Sequence, residues 1–199
     1  FSINCFFDKK NDRDLILFPF ILGFIFLYET LGAYIKLSGK NIILYNLADP
    51  FVTLGYLSSI YRLISFKVVK STIVYLSIIY ILIFFIALFL VHGFDEWNTI
   101  TTVFGSMTIV LSALLSFYYI GISQQYFNLM AEPIFWICSS MILYFLPSAV
   151  ITSLFHFLPD DPIINKTYSK SFIIAQKVLN TFHYGLLSFA FICRRVFTT

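Results

Sequence analysis

Long apolar segments separated by short polar stretches make up most of the chain. Six of them cover approximately residues 15–35, 46–64, 71–91, 99–120, 133–158 and 171–193. Each is close to the length of about 20 residues that a helix needs to cross a bilayer. None alternates between apolar and polar residues in the way that is typical of membrane β-strands. The pattern predicts an all-α fold: a polytopic transmembrane helical bundle with six full helices, forming a single domain over residues 1–199.

A shorter apolar stretch comes before these segments. Phe1–Phe7 runs directly into the charged stretch Asp8–Asp14. Seven residues are too few to cross a bilayer. We interpret them as the last turns of a truncated N-terminal helix that begins before Phe1; a short interfacial segment or a processed mature terminus is the alternative.

Prolines mark several predicted helix boundaries. Asp49-Pro50 and Glu132-Pro133 each place an acidic residue before a proline, and such pairs are typical of helix starts. Pro147 lies inside the fifth segment, where it removes a backbone hydrogen bond.

Small residues indicate which helices lie inside the bundle, because helix contacts in membranes favour them. The second and fourth segments are therefore predicted to be interior on the basis of Gly55, Ser58, Ser59, Gly105, Thr108, Ser112, Ala113 and Ser116. The third segment is bulky on almost all sides, so we predict that it lies at the periphery.

Composition excludes several classes of protein. Apolar residues make up 59% of the chain and charged residues 12%, and the mean hydropathy of +0.87 argues against a soluble domain. No run of five or six basic residues predicts nucleic-acid binding. The three cysteines, Cys5, Cys138 and Cys193, lack the short spacing of a metal site and lie in or beside apolar stretches, so we predict no disulfide framework, metal or cofactor.

The distribution of lysine and arginine predicts the orientation. Eight of these residues fall on one predicted side of the membrane: Lys9, Lys10, Arg13, Arg62, Lys67, Lys70, Arg194 and Arg195. Four fall on the other side: Lys36, Lys40, Lys166 and Lys170. Because cytoplasmic loops carry the excess of positive charge, the C-terminus is expected to be cytoplasmic.

Ionisable residues inside predicted spans are candidates for function, because they are costly to bury in a bilayer. Glu29 and Lys177 lie at similar depths in the outer half, and Asn180 and His183 follow on the same helix as Lys177. These four residues are predicted to form a polar cluster near the outer mouth of the bundle. A Glu29–Lys177 ion pair that joins two helices and a ligand or proton site both fit this pattern.

A second pair is predicted on the cytoplasmic side. Arg62 ends the second segment and Glu132 begins the fifth, so the two share a depth. The chain contains no nucleophile elbow, phosphate-binding loop or paired-histidine zinc motif. His183 has no second histidine, cysteine or carboxylate three or four residues further on. The sequence therefore predicts no catalytic residues and no metal ligands.

Five short stretches carry a resemblance to a known family. They are Tyr28–Tyr34 (YETLGAY), Asn41–Asn46 (NIILYN), Glu132–Ile137 (EPIFWI), Val178–Tyr184 (VLNTFHY) and Phe189–Arg194 (FAFICR). Together they resemble an uncharacterised family of small seven-helix bacterial inner-membrane proteins, often encoded near sensor kinases. The resemblance implies a further helix before Phe1 and a role in signalling or as an accessory protein.

These observations lead to one expectation of function and two alternatives. We expect a non-catalytic accessory or sensory subunit of a larger assembly in the bacterial inner membrane, with membrane lipids and other membrane-protein subunits as partners. The first alternative is a small transporter or ligand-binding membrane receptor. The second is a lipid-active membrane enzyme.

Overall fold

A computed structural model describes residue 15 and residues 17–35, 41–93, 96–122, 130, 132–156 and 162–197. These residues form six helices: α1 (Leu17–Ile35), α2 (Asn41–Leu63), α3 (Lys67–Ile86, continued by a π-helical segment Ala87–His92), α4 (Thr99–Ile122), α5 (Pro133–His156) and α6 (Pro162–Phe197). No strand occurs among the described residues. The predicted all-α fold with six helices is confirmed, while the predicted helix ending near Phe7 falls outside the described residues.

Four helices are long and apolar enough to cross a membrane. They are α1, α3 with most of its π-helical extension (Lys67–Val91), α4, and α5 as far as Leu154. This is compatible with a membrane-embedded protein. The spans predicted at 46–64 and 171–193 also form helices, α2 and α6, but their sequences are more polar than those of the other four.

The predicted start of α2 at Pro50 is wrong. The helix begins at Asn41, and Pro50 lies inside it. The five residues of Asn41–Tyr45 provide a first turn of their own, so the helix is already formed when it reaches the proline. Asp49 therefore caps nothing, and its carboxylate instead accepts a hydrogen bond from the Tyr80 hydroxyl at 3.2 Å. The start at Pro133 is confirmed: α5 begins there.

Neighbouring helices run antiparallel, and α2 is the central one. At the α1–α2 interface, Gly32 of α1 faces Tyr45 of α2, and Gly55 of α2 faces Ile21 of α1. Helix α2 also contacts α3, α4 and α5, and α5 packs against both α4 and α6. The rings of Phe18 and Phe191 bring α1 against α6, with 6.4 Å between centroids. The core between these helices includes Tyr56, Leu57, Ile60, Ile109, Ala113, Ile137, Met141 and Leu187.

Helix α4 is interior and α3 peripheral, as predicted. Half of the residues in the most apolar 18-residue stretch of α4 are buried, compared with 28% of the corresponding stretch of Lys67–Val91. The hydroxyls of Thr108, Ser112 and Ser116 each donate to the carbonyl four residues earlier, at 2.8, 2.8 and 2.7 Å. Back-bonding of this kind lets a polar face pack in an apolar core. In α2, Ser59 is buried as predicted, but Ser58 is exposed.

At Gly105, α4 lies in close contact with side chains of α2 and α3. A Cβ atom at this position would lie 2.9 Å from Thr53 Oγ1 and 3.0 Å from Tyr80 Cε2. Both distances are shorter than ordinary contacts, so the missing side chain allows the three helices to meet.

We predict that Gly105→Ala lowers the free energy of unfolding by about 1–3 kcal/mol, because the added methyl group overpacks this contact. The measurement is reversible unfolding of the purified protein in detergent. Gly121→Ala is the matched control on the same helix, since nothing lies within 4 Å of a Cβ there. Equal effects of the two substitutions would contradict the close approach.

Candidate functional site: a polar and aromatic cavity

A cavity of about 590 Å³ lies between the helices, at the end of the bundle where α1 ends and α2 begins. Helices α1, α2, α4, α5 and α6 line it together with Trp97 from the segment before α4. Cavities of about 300–1,000 Å³ are typical of sites for small molecules. Besides aromatic rings and hydroxyls, its wall contains the polar side chains of Glu29, Asn46, Asp49, Gln176, Asn180 and His183.

The structure brings three of the four residues of the predicted polar cluster together. Glu29, Asn180 and His183 all line the cavity, whereas Lys177 is exposed and is not part of its wall. The Tyr45 hydroxyl donates a hydrogen bond to Glu29 Oε2 at 3.1 Å. Glu29 therefore has a phenol partner where the sequence predicted an ammonium group.

Three aromatic rings stand beside Glu29 at the mouth of the cavity. The rings of Tyr28 and Tyr45 are perpendicular, with centroids 5.8 Å apart, and the centroids of the Tyr45 and Trp97 rings are also 5.8 Å apart. We call Tyr28, Tyr45 and Trp97 the aromatic mouth. Gly32 makes room for it, because a Cβ atom there would lie 2.6 Å from the Tyr45 hydroxyl.

The segment carrying Trp97 is anchored to α2. Asn46 Nδ2 donates to the carbonyl of Glu96 at 2.7 Å, and Asn46 Oδ1 accepts from the backbone N–H of Asn98 at 3.2 Å. A single amide side chain therefore bonds to the residues on both sides of Trp97. This arrangement positions the indole over the cavity and leaves it 47% exposed.

Asp49 brings a second carboxylate into the wall. It lies one helical turn after Tyr45 on α2, and its Oδ2 accepts from the Tyr80 hydroxyl of α3 at 3.2 Å. Two carboxylates thus line one cavity, and each accepts a phenolic hydrogen bond.

The imidazole of His183 forms the floor and joins three helices. Its Nε2 lies 2.9 Å from the Tyr56 hydroxyl on α2, and its Nδ1 lies 2.7 Å from Ser140 Oγ on α5. Ser140 donates its hydroxyl hydrogen to the His183 carbonyl at 3.0 Å, so its oxygen is left to accept from Nδ1–H. We therefore assign the neutral tautomer protonated on Nδ1, with Nε2 accepting from Tyr56.

Tyr144 and Gln176 extend this floor. The Tyr144 ring stacks on His183 with a centroid separation of 4.6 Å and an angle of 27°. Gln176 Nε2 donates to the Tyr144 hydroxyl at 2.9 Å and lies 3.3 Å from Ser148 Oγ. The Tyr144 hydroxyl accepts from the amide, so its own hydrogen remains for another acceptor.

The predicted cytoplasmic-side residues lie at the opposite end of the bundle. Arg62 is exposed in the last turn of α2, and Glu132 is half-buried just before α5. Neither lines the cavity. Among the described residues, no group of three or more histidine, cysteine, aspartate or glutamate side chains is arranged to hold a metal ion.

The sequence analysis missed most of the cavity wall. It assigned Asp49 to a helix cap, and it gave no role to Tyr45, Tyr56 or Gln176. A signal was nevertheless present: Tyr45, Asp49, Val52 and Tyr56 follow the spacing of one helix face. All four residues line the cavity.

Comparison with protein-family models, characterised proteins and solved structures finds no match to this chain. The geometry of the cavity is therefore the basis for inferring function.

We predict that Tyr56 and His183 are energetically coupled. Tyr56→Phe and His183→Leu should each lower the free energy of unfolding in detergent by about 1 kcal/mol or more, since each leaves a buried partner unbonded. The double variant should be more stable than the sum of the two losses implies, by about 0.6–1.7 kcal/mol.

Tyr75→Phe on α3 provides the control for this cycle, because Tyr75 is 65% exposed. Its effect should add to that of His183→Leu. Simple additivity for Tyr56 and His183 as well would disprove the proposed hydrogen bond.

Proposed function

We propose that the chain is a ligand-binding sensory protein of the bacterial inner membrane, acting as a subunit of a larger assembly. The observation that supports this proposal is the cavity of about 590 Å³ whose wall combines two carboxylates, three amides and a cluster of aromatic rings. Polar side chains inside a membrane bundle are costly and are typical of functional sites. A purely structural contact between helices would not require a space of this size.

The position of the cavity favours a ligand that arrives from outside the cell. The cavity lies at the end of the bundle near residues 35, 41 and 97, whereas Arg62, Lys67 and Lys70 lie at the other end. The excess of basic residues at that other end predicts that it is cytoplasmic. On this orientation the aromatic mouth faces the outer side of the membrane.

The proposed sensory role is supported by a hydrogen bond between the cavity wall and α3, a helix at the periphery. Asp49 lines the cavity and is hydrogen-bonded to Tyr80 of α3. Helix α3 exposes large apolar side chains along its length, among them Val74, Tyr75, Ile78, Leu82 and Phe85. Ligand binding at Asp49 would therefore act directly, through Tyr80, on a helix that we propose faces lipid or a neighbouring subunit.

The experiment that tests ligand binding is a compound screen by thermal unfolding in detergent. A ligand at one hundred times its dissociation constant stabilises the native state by about 2.7 kcal/mol. We expect at least one small polar compound to stabilise the wild type but not Ser148→Leu, which places a bulkier side chain in the cavity wall.

Ser58→Leu is the matched control for this screen, because Ser58 is exposed and outside the cavity. It should respond to the compound as the wild type does. The cavity would be excluded as the site if no compound stabilised the wild type, or if Ser148→Leu responded equally. Accumulation of the compound inside proteoliposomes would assign transport instead of sensing.

We also predict a partner subunit. The mass of the complex should be measured after purification in mild detergent from native membranes, with the chain tagged at its natural expression level. A second membrane protein present in a fixed ratio is the expected result. A solitary chain would refute the subunit part of the proposal and leave the ligand-binding part standing.

A further inference from the structure

We propose that the ligand of this cavity is a small organic cation, an ammonium compound whose charged nitrogen lies between the carboxylates of Glu29 and Asp49 and the aromatic mouth. This inference rests on the proposed function, since it names the class of ligand for the same cavity. Three independent features support it: the charge of the wall, its aromatic content and the existing hydrogen bonds of its carboxylates.

The charge of the wall is one-sided. Among the described residues that line the cavity, Glu29 and Asp49 provide carboxylates, and neither lysine nor arginine is present. Lys177 is exposed outside the wall, and the hydrogen bonds of His183 assign it the neutral form. Asp49 is half-buried, whereas Glu29 is exposed. No lysine or arginine among the described residues lines the cavity beside these two carboxylates, and a bound cation would supply a positive partner.

The aromatic mouth suits the same ligand. A cation within about 6 Å of an aromatic ring centroid is attracted by the ring face, and cages of aromatic rings bind quaternary ammonium groups in this way. Tyr28 and Trp97 each lie 5.8 Å from Tyr45, so the three rings form one cluster. Trp97 is half exposed, which leaves part of the indole surface available.

The hydrogen bond between Tyr45 and Glu29 holds the carboxylate beside the aromatic mouth. Tyr45 donates to Glu29 Oε2, so one phenol belongs both to the aromatic mouth and to the carboxylate. A carboxylate has about four acceptor positions. The bond from Tyr45 uses one of them, so an ammonium ligand can bind Glu29 without displacing the phenol. An anionic ligand would instead face two carboxylates of the same sign.

The test compares three probes of nearly equal size: choline, its uncharged carbon isostere and a carboxylate of the same shape. Binding is measured by calorimetric titration of the full chain in detergent. We expect choline to bind at least about tenfold more tightly than the uncharged isostere, and the carboxylate not to bind. A primary ammonium of similar size is included to cover cations without methyl groups.

Substitutions of the two carboxylates locate the interaction. Glu29→Gln and Asp49→Asn should each weaken binding of the cation by about tenfold or more while leaving binding of the uncharged isostere unchanged. Each amide keeps an oxygen that accepts from Tyr45 or Tyr80, so the fold is preserved. Glu132→Gln is the matched control, since Glu132 lies outside the cavity and should have no effect.

The aromatic contribution is tested at Trp97. Trp97→Leu should weaken binding of the cation severalfold, and Trp97→Phe should restore much of it, because phenylalanine keeps a ring face. A structural role of the indole alone would predict the same loss for both probes, charged and uncharged.

The outcomes separate this inference from the proposed function. If neither ammonium probe binds, or if the uncharged isostere binds as tightly as choline, the ligand is not a cation. In that event a different compound that stabilises the wild type but not Ser148→Leu would preserve the ligand-binding cavity. Failure of every compound would overturn both.

Discussion

The site depends on the hydrogen bonds that the imidazole of His183 makes to two other helices. This imidazole joins α6 to Tyr56 of α2 and to Ser140 of α5, and both ring nitrogens are engaged. In a bilayer no water is available to replace a lost partner, so polar groups between helices must bond to each other. Tyr144 stacks on the same ring and receives the amide of Gln176. The His183 side chain therefore positions the floor of the cavity. The neutral imidazole is enough to do so, because one ring nitrogen donates a hydrogen bond and the other accepts one.

Two groups of polar residues in this bundle have different physical roles. The hydroxyls of Thr108, Ser112 and Ser116 bond to the backbone of their own helix, so α4 is buried without needing polar partners elsewhere. The carboxylates of Glu29 and Asp49 bond instead to phenols on other helices and line an open space. Of these two groups, the carboxylates line the cavity and the three hydroxyls do not. This difference separates residues that allow packing from residues that can bind a ligand.

The fold was largely predictable from sequence, and the site only in part. The number of helices follows from the number and length of the apolar segments. The start of α2 could not be read from Pro50, because proline is acceptable inside a helix when the preceding turns are already formed. The sequence grouped Glu29, Asn180 and His183, which line one cavity, because polar residues inside spans are conspicuous. Lys177, grouped with them by depth, lies outside the cavity wall, because depth in the membrane does not give direction around the helix. Gln176, Asn180 and His183 share a face, and Lys177 lies at its edge, with a long flexible stem. The phenols were missed because tyrosine is equally common at lipid interfaces.

The position of α2 determines how occupation of the cavity can affect the rest of the molecule. This helix carries Asn46, Asp49 and Tyr56 into the wall and also packs against α1, α3, α4 and α5. Asp49 already accepts a hydrogen bond from Tyr80, so the cation that we propose would act on the same carboxylate that bonds to α3. A ligand shifts a conformational equilibrium only through a difference in its affinity for two states. Such a difference arises here if binding at Asp49 strengthens or weakens the bond to Tyr80. Since α3 exposes large apolar side chains, the proposed ligand would act on an exposed apolar surface through this hydrogen bond.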